Sequence, residues 1–116
     1  MKKFFTFAFL AMTLISCKTD KIEITKIMVL DSNFNQLSVI QNPDTLNIIS
    51  NLWSTFEPIA DIPKIQWDFK LDIESKNIAG RWLYSKEGYI AKMNKELKPR
   101  FKVGSQDAFN RLILGF

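Results

Sequence analysis

Asp68, Asp72 and Glu74 share the polar side of an alternating segment at residues 65–74, where Ile65, Trp67, Phe69, Leu71 and Ile73 occupy the other side. In a strand, residues two apart on one face lie about 6.5 Å from each other. That is within the range in which glycosidases hold an acid opposite a nucleophile or base. Lys70 stands between these carboxylates, and bases on neighbouring strands can pair with them, so the spacing reads first as a solvated, salt-bridged face. No loop with Asp, Asn and Gly at calcium-ligand spacing accompanies them. The chain has no histidine, which removes the usual general base at neutral pH, the Ser-His and Cys-His nucleophile systems and the commonest metal ligand. The expectation is a protein that is not an enzyme, with no catalytic residue, no metal and no cofactor.

Residues 80–90 carry the second chemical signal, because they interleave Trp82, Tyr84 and Tyr89 with Arg81 and Lys86, and Lys92, Lys95, Lys98, Arg100 and Lys102 follow. Trp, Tyr and Arg are enriched at binding hot spots, since each joins a large buried area to a polar handle. The candidate partner-binding residues are Arg81, Trp82, Tyr84, Tyr89, Lys92 and Arg100. Against this stands the alternation of a strand, which turns about half of the aromatics into a core. Charge is divided along the chain: residues 18–75 hold five basic and nine acidic side chains, and residues 76–116 hold nine basic and three acidic ones. Either the two segments neutralise one another in the fold, or the second builds a basic face for an anionic partner.

Strands and two helices must position these residues. The β-branched run at residues 22–30 predicts a strand, with a turn at Asp31-Ser32-Asn33 and a hairpin return at residues 37–40. Asn42-Pro43-Asp44 is a helix start, with Asn42 as N-cap and Pro43 at the first helical position. Leu46, Ile49, Leu52, Trp53 and Phe56 follow at helical spacing until Pro58 closes the helix. The segment at residues 65–74 predicts a half-buried antiparallel strand. Residues 80–84 and 89–93 predict a hairpin in which Gly88 takes a positive φ. Residues 99–103 form a further short strand, and Ser105 caps a last helix that buries Ala108, Phe109, Leu112 and Ile113. Together these predict an α+β fold: an antiparallel sheet of about five or six strands with two helices packed on one face. A hundred residues suffice for one domain with its own core.

The first 17 residues are a leader. Lys2 and Lys3 precede about a dozen mostly apolar residues, which match a signal-peptide h-region and are too few to span a bilayer. Leu14-Ile15-Ser16-Cys17 resembles the lipobox of bacterial lipoproteins. The resemblance implies a signal peptide at residues 1–16, an acylated Cys17 carrying diacylglycerol and a further chain such as palmitate, a short tether through residue 21, and a globular domain at residues 22–116. Two or three acyl chains anchor a protein to the membrane for life. Lys18 after the cysteine, in place of the Asp that signals inner-membrane retention, implies the outer membrane, with the domain in the periplasm. Cys17 is the chain's one cysteine, so the domain folds without disulfides, and an address outside the cytoplasm excludes nucleic acid as a partner.

Arg81-Trp82-Leu83-Tyr84, Gly88-Tyr89, the run Lys98-Pro99-Arg100-Phe101-Lys102-Val103 and Phe109-Asn110-Arg111-Leu112, taken with the leader, resemble small Gram-negative lipoproteins. Several of these are immunity proteins against toxins delivered to the periplasm. The resemblance implies a tethered, non-catalytic protein-binding module that occludes a toxin's active site. The alternative is an envelope maintenance module that contacts lipid, lipopolysaccharide or peptidoglycan through the basic C-terminal half.

Overall fold

In a computed structural model, which describes residues 22–115, the leader, Cys17 and the tether lie outside the described residues. The β-branched run becomes β1 (Ile24–Asp31), and β2 (Gln36–Ile40) returns beside it. Then come α1 (Pro43–Trp53), β3 (Glu57–Pro58), β4 (Phe69–Ser75), β5 (Gly80–Ser85), β6 (Tyr89–Lys92), β7 (Arg100–Lys102) and α2 (Gln106–Leu114). The strands form one antiparallel sheet in the order β2-β1-β4-β5-β6-β7-β3. The fold class is α+β, with seven strands rather than five or six.

The added strand is β3, where Pro58 was expected only to end a helix. Glu57 and Pro58 lie opposite Lys102 and Phe101 at the sheet edge, a place that tolerates a residue with no N–H. The alternating segment also pairs over less of its length than its pattern predicts. Its ladder with β1 begins at the Asp31–Phe69 pair, because the chain turns away at Asp31 and leaves residues 65–68 no partner on that side.

The cross-strand register puts Ile27 opposite Ile73, Val29 opposite Leu71, and Leu71 opposite Trp82, all on one face. Both helices cover that face. Trp53 of α1 meets Trp82 edge-on at 4.9 Å between ring centroids, and Phe109 of α2 meets Tyr84 at 5.1 Å. Phe56 joins them through Phe109 at 5.3 Å. Buried rings in edge-to-face contact add about 0.5–1.5 kcal/mol each beyond their burial. The Tyr84 hydroxyl donates to Asn110 Oδ1 and thereby ties the sheet to α2.

Local chemistry sets the joints. Asn42 Oδ1 accepts from the backbone N–H groups of Asp44 and Thr45 at 2.9 and 3.2 Å, as its N-cap position predicts. Ser105 precedes α2 but makes no side-chain capping bond. Gln106 instead reaches across to donate to the Lys86 carbonyl at 2.7 Å. Gly88 takes φ +100° in the β5–β6 turn. Gly80 takes φ +126°, and a Cβ there would stand 2.9 Å from the Lys92 ammonium.

Candidate functional site

The face of the sheet away from the helices is built from the residues between the core positions. Met28 lies opposite both Val39 and Asp72, Asp72 lies opposite Arg81, and Lys70 lies opposite both Leu30 and Leu83. Leu30, Leu83 and Ala91 are buried there without belonging to the main core cluster. The long side chains around them screen them from water, as amphipathic stems do.

At the far end of this face stands Phe34. The β1–β2 turn is organised by Asp31, whose carboxylate accepts from the backbone N–H groups of Asn33 and Asn35 at 2.8 and 2.9 Å and from the Asn35 amide at 3.1 Å. The Asn35 backbone bond above all holds the Asp31 carboxyl below its ordinary pKa. This tight turn forces Phe34 to φ +68°, a region that bulky residues rarely occupy. Its ring is 51 % exposed. Lys70 Nζ sits 4.4 Å and the Arg81 guanidinium carbon 5.2 Å from the ring centroid. Lys70 also donates to the Ser32 carbonyl at 3.1 Å, which fixes the ammonium beside the ring.

Arg81 is held in turn by Asp72, its Nε and Nη2 donating to the two carboxylate oxygens at 2.5 and 2.7 Å. That fork raises the Arg81 pKa further and keeps it charged. Lys26 approaches Glu74 at 4.0 Å. A groove of about 470 Å³ runs between these pairs, lined by Lys26, Met28, Asp72, Glu74 and Arg81. Beside it the edge strand β2 exposes Leu37, at 52 %, and Val39.

The carboxylates of the alternating segment are therefore engaged. Asp72 holds Arg81 and Glu74 faces Lys26. Asp68 has left the strand and accepts from the Lys86 backbone N–H at 2.9 Å. Among the described residues, no group of three His, Cys, Asp or Glu side chains could hold a metal ion.

The six partner-binding candidates are divided by the sheet. Arg81, Tyr89 and Arg100 lie on the open face, Tyr89 beneath the Lys102 ammonium at 4.8 Å and Arg100 donating to the Glu96 carbonyl at 3.1 Å. Trp82 and Tyr84 are 2 % and 0 % exposed and belong to the core, so they present nothing to a partner. Their i, i+2 spacing sends both to the helix side. Lys92 follows Trp82 there, donating to the Ala79 carbonyl at 2.7 Å and lying 5.4 Å from the Trp82 ring. Cys17 lies outside the described residues.

No family model, no curated protein and no solved structure matches this chain. Its function must be argued from its own surface. Phe34, Leu37, Val39 and Lys70 are the functional candidates that sequence patterning missed. The one signal for Phe34 was an aromatic among the turn formers Asp31, Ser32, Asn33 and Asn35. Among the described residues, no helix is long and apolar enough to cross a membrane.

Proposed function

We propose that this chain is a lipid-anchored, non-catalytic module that binds another protein through its open sheet face, in the manner of an inhibitor or immunity protein. The carrying observation is Phe34, half exposed between two cations, in the turn that leads into the edge strand β2 with its exposed Leu37 and Val39. An apolar centre rimmed by charges is the anatomy of a protein interface. Edge strand β2 adds a second feature. Residues Gln36–Ile40 contain no charge and no proline, the devices that usually guard an edge, so its backbone is open to an added strand. The geometry suits a tethered binder as well. β1 runs from Ile24 to Asp31, and at about 3.3 Å per residue its two ends stand about 23 Å apart, with the Phe34 turn at the end away from the start of the described chain.

Affinity capture from envelope and secreted fractions, with residues 18–116 as bait at low and high salt, tests this reading. One protein retained at high salt by the native chain, and lost with Phe34→Ala and with Lys70→Glu, is the expected result. Equal retention by all three baits would overturn the assignment of this face. Capture of lipid or wall material alone, released by salt, would favour the envelope maintenance alternative. The anchor has its own test: Cys17→Ser should abolish incorporation of labelled fatty acid, and persistence of the label would contradict it.

A further inference from the structure

The antiparallel register brings two loops to the end of the sheet where the described chain begins. The Lys76 backbone N–H donates to the Glu23 carbonyl at 3.3 Å, and the Glu23 N–H to Asn77 Oδ1 at 3.0 Å, so the β4–β5 turn sits beside the start of the chain. The Met93 N–H donates to the Arg81 carbonyl at 2.9 Å, and Lys92 Nζ to the Ala79 carbonyl at 2.7 Å, so the β6–β7 loop at residues 93–99 sits beside that turn.

The β6–β7 loop is braced from within. The Asn94 side chain accepts from the Lys98 N–H at 3.1 Å and donates to the Lys98 carbonyl at 2.6 Å, and Leu97 N–H closes on the Asn94 carbonyl at 3.2 Å. Arg100 grips the Glu96 carbonyl from outside at 3.1 Å. The loop displays Met93, 43 % exposed, with Lys95 and Lys98 also exposed. Lys76 and Lys92 add positive charge at the same end, against Glu23 and Glu96.

Ile22 is only five positions after Cys17, and a fully extended chain covers at most about 3.3–3.6 Å per residue. An anchor at Cys17 thus holds this end of the sheet within about 17 Å of the bilayer, while charges in salt solution act over about 8–10 Å. We infer that the loop at residues 93–99 is a membrane-apposed surface, laying Lys95, Lys98 and the Met93 side chain on anionic lipid head groups. The inference rests on the anchored reading above. Basic side chains beside an anchor are attracted to an anionic leaflet, and an exposed apolar side chain among them enters the head-group boundary. The Phe34 turn at the opposite end then faces away from the membrane.

The test uses the full acylated chain in vesicles of phosphatidylethanolamine and phosphatidylglycerol. Because acylation consumes the native cysteine, Met93→Cys or Phe34→Cys offers a single site for an environment-sensitive dye. The expected result is blue-shifted emission, quenched by brominated lipid, at position 93 and not at position 34. Quenching at position 93 should fall several-fold with Lys95→Glu and Lys98→Glu together, or when phosphatidylcholine replaces phosphatidylglycerol. Equal, water-exposed emission at both positions, with Cys17 shown by mass spectrometry to be acylated, would overturn the inference while leaving the anchor intact. An unmodified Cys17 peptide would overturn the anchor and this orientation with it.

Discussion

Phe34 concentrates two costs at one position: a left-handed backbone, and an aromatic ring half in water. Left-handed backbone costs an L-residue roughly 1–2 kcal/mol, and glycine escapes that strain while adding about 0.5–1 kcal/mol of unfolded-state entropy. Phe34→Gly should therefore change folding stability by less than about 1 kcal/mol in urea titration, while partner retention is lost. A large fall in stability would assign the ring to structure instead. Tyr84 is the contrasting residue. Burial first, and the charge of Asp68 second, raise its pKa above the ordinary tyrosine value. The unfolded chain gives up this proton near pH 10, so the contribution of neutral Tyr84 is complete below that pH and drains away as pH rises toward the raised folded value. The urea midpoint should fall above about pH 10, and less steeply in Tyr84→Phe. An identical slope in the two proteins would remove Tyr84 from that account.

At the scale of elements, each joint has a separable cause. Helix α1 depends on Asn42, which satisfies two of the N–H groups that a helix start leaves unpaired. Asn42→Ala should cost about 1 kcal/mol by chemical denaturation. Asn42→Ser should recover most of that, because a hydroxyl oxygen accepts the same bonds. Helix α2 relies instead on Gln106 and on Gly115, whose N–H closes on the Arg111 carbonyl and whose φ of +84° turns the chain out of the helix. The two edge strands are guarded unequally. β3 carries Pro58, whereas β2 has only the register shift around Leu37 to interrupt pairing.

At the scale of the molecule, one sheet separates two kinds of chemistry. The helix side holds the aromatic cluster of Trp53, Phe56, Trp82, Tyr84 and Phe109, and the open side holds paired charges over a thin apolar layer. Trp82→Ala removes a fully enclosed ring and should cost about 3–5 kcal/mol in an equilibrium unfolding curve. Phe69, on the same side but only half-buried at the end of its ladder, should cost visibly less. Equal losses would mean that the open end of the sheet is as tightly closed as its centre. The half-buried surface ion pair Arg81–Asp72 contributes about 1 kcal/mol, so its disruption tests the surface rather than the fold.

Residues 69–75, both helices, the Asn42 cap and the Gly88 turn were legible in the sequence, because each rests on local periodicity or on one residue's backbone chemistry. The acidic first half and basic second half were legible as well. Their meeting in Asp72–Arg81 was not, and neither was the Lys26–Glu74 pair within the first half, because cross-strand pairing depends on register. Alternation alone told that Trp82 and Tyr84 must share a side. Only the tertiary structure chose the helix side, because that choice depends on which face α1 and α2 cover. It likewise brought Phe34 between Lys70 and Arg81, residues 36 and 47 positions further along the chain. The sequence by itself determined the class of fold, the absence of histidine and the placing of the chain's one cysteine in the Leu14-Ile15-Ser16-Cys17 run. The make-up of the open sheet face, the unguarded β2 edge and the loops gathered at the end where the described chain begins were decided by tertiary structure, since strand order and register bring distant side chains together and leave no trace in local pattern.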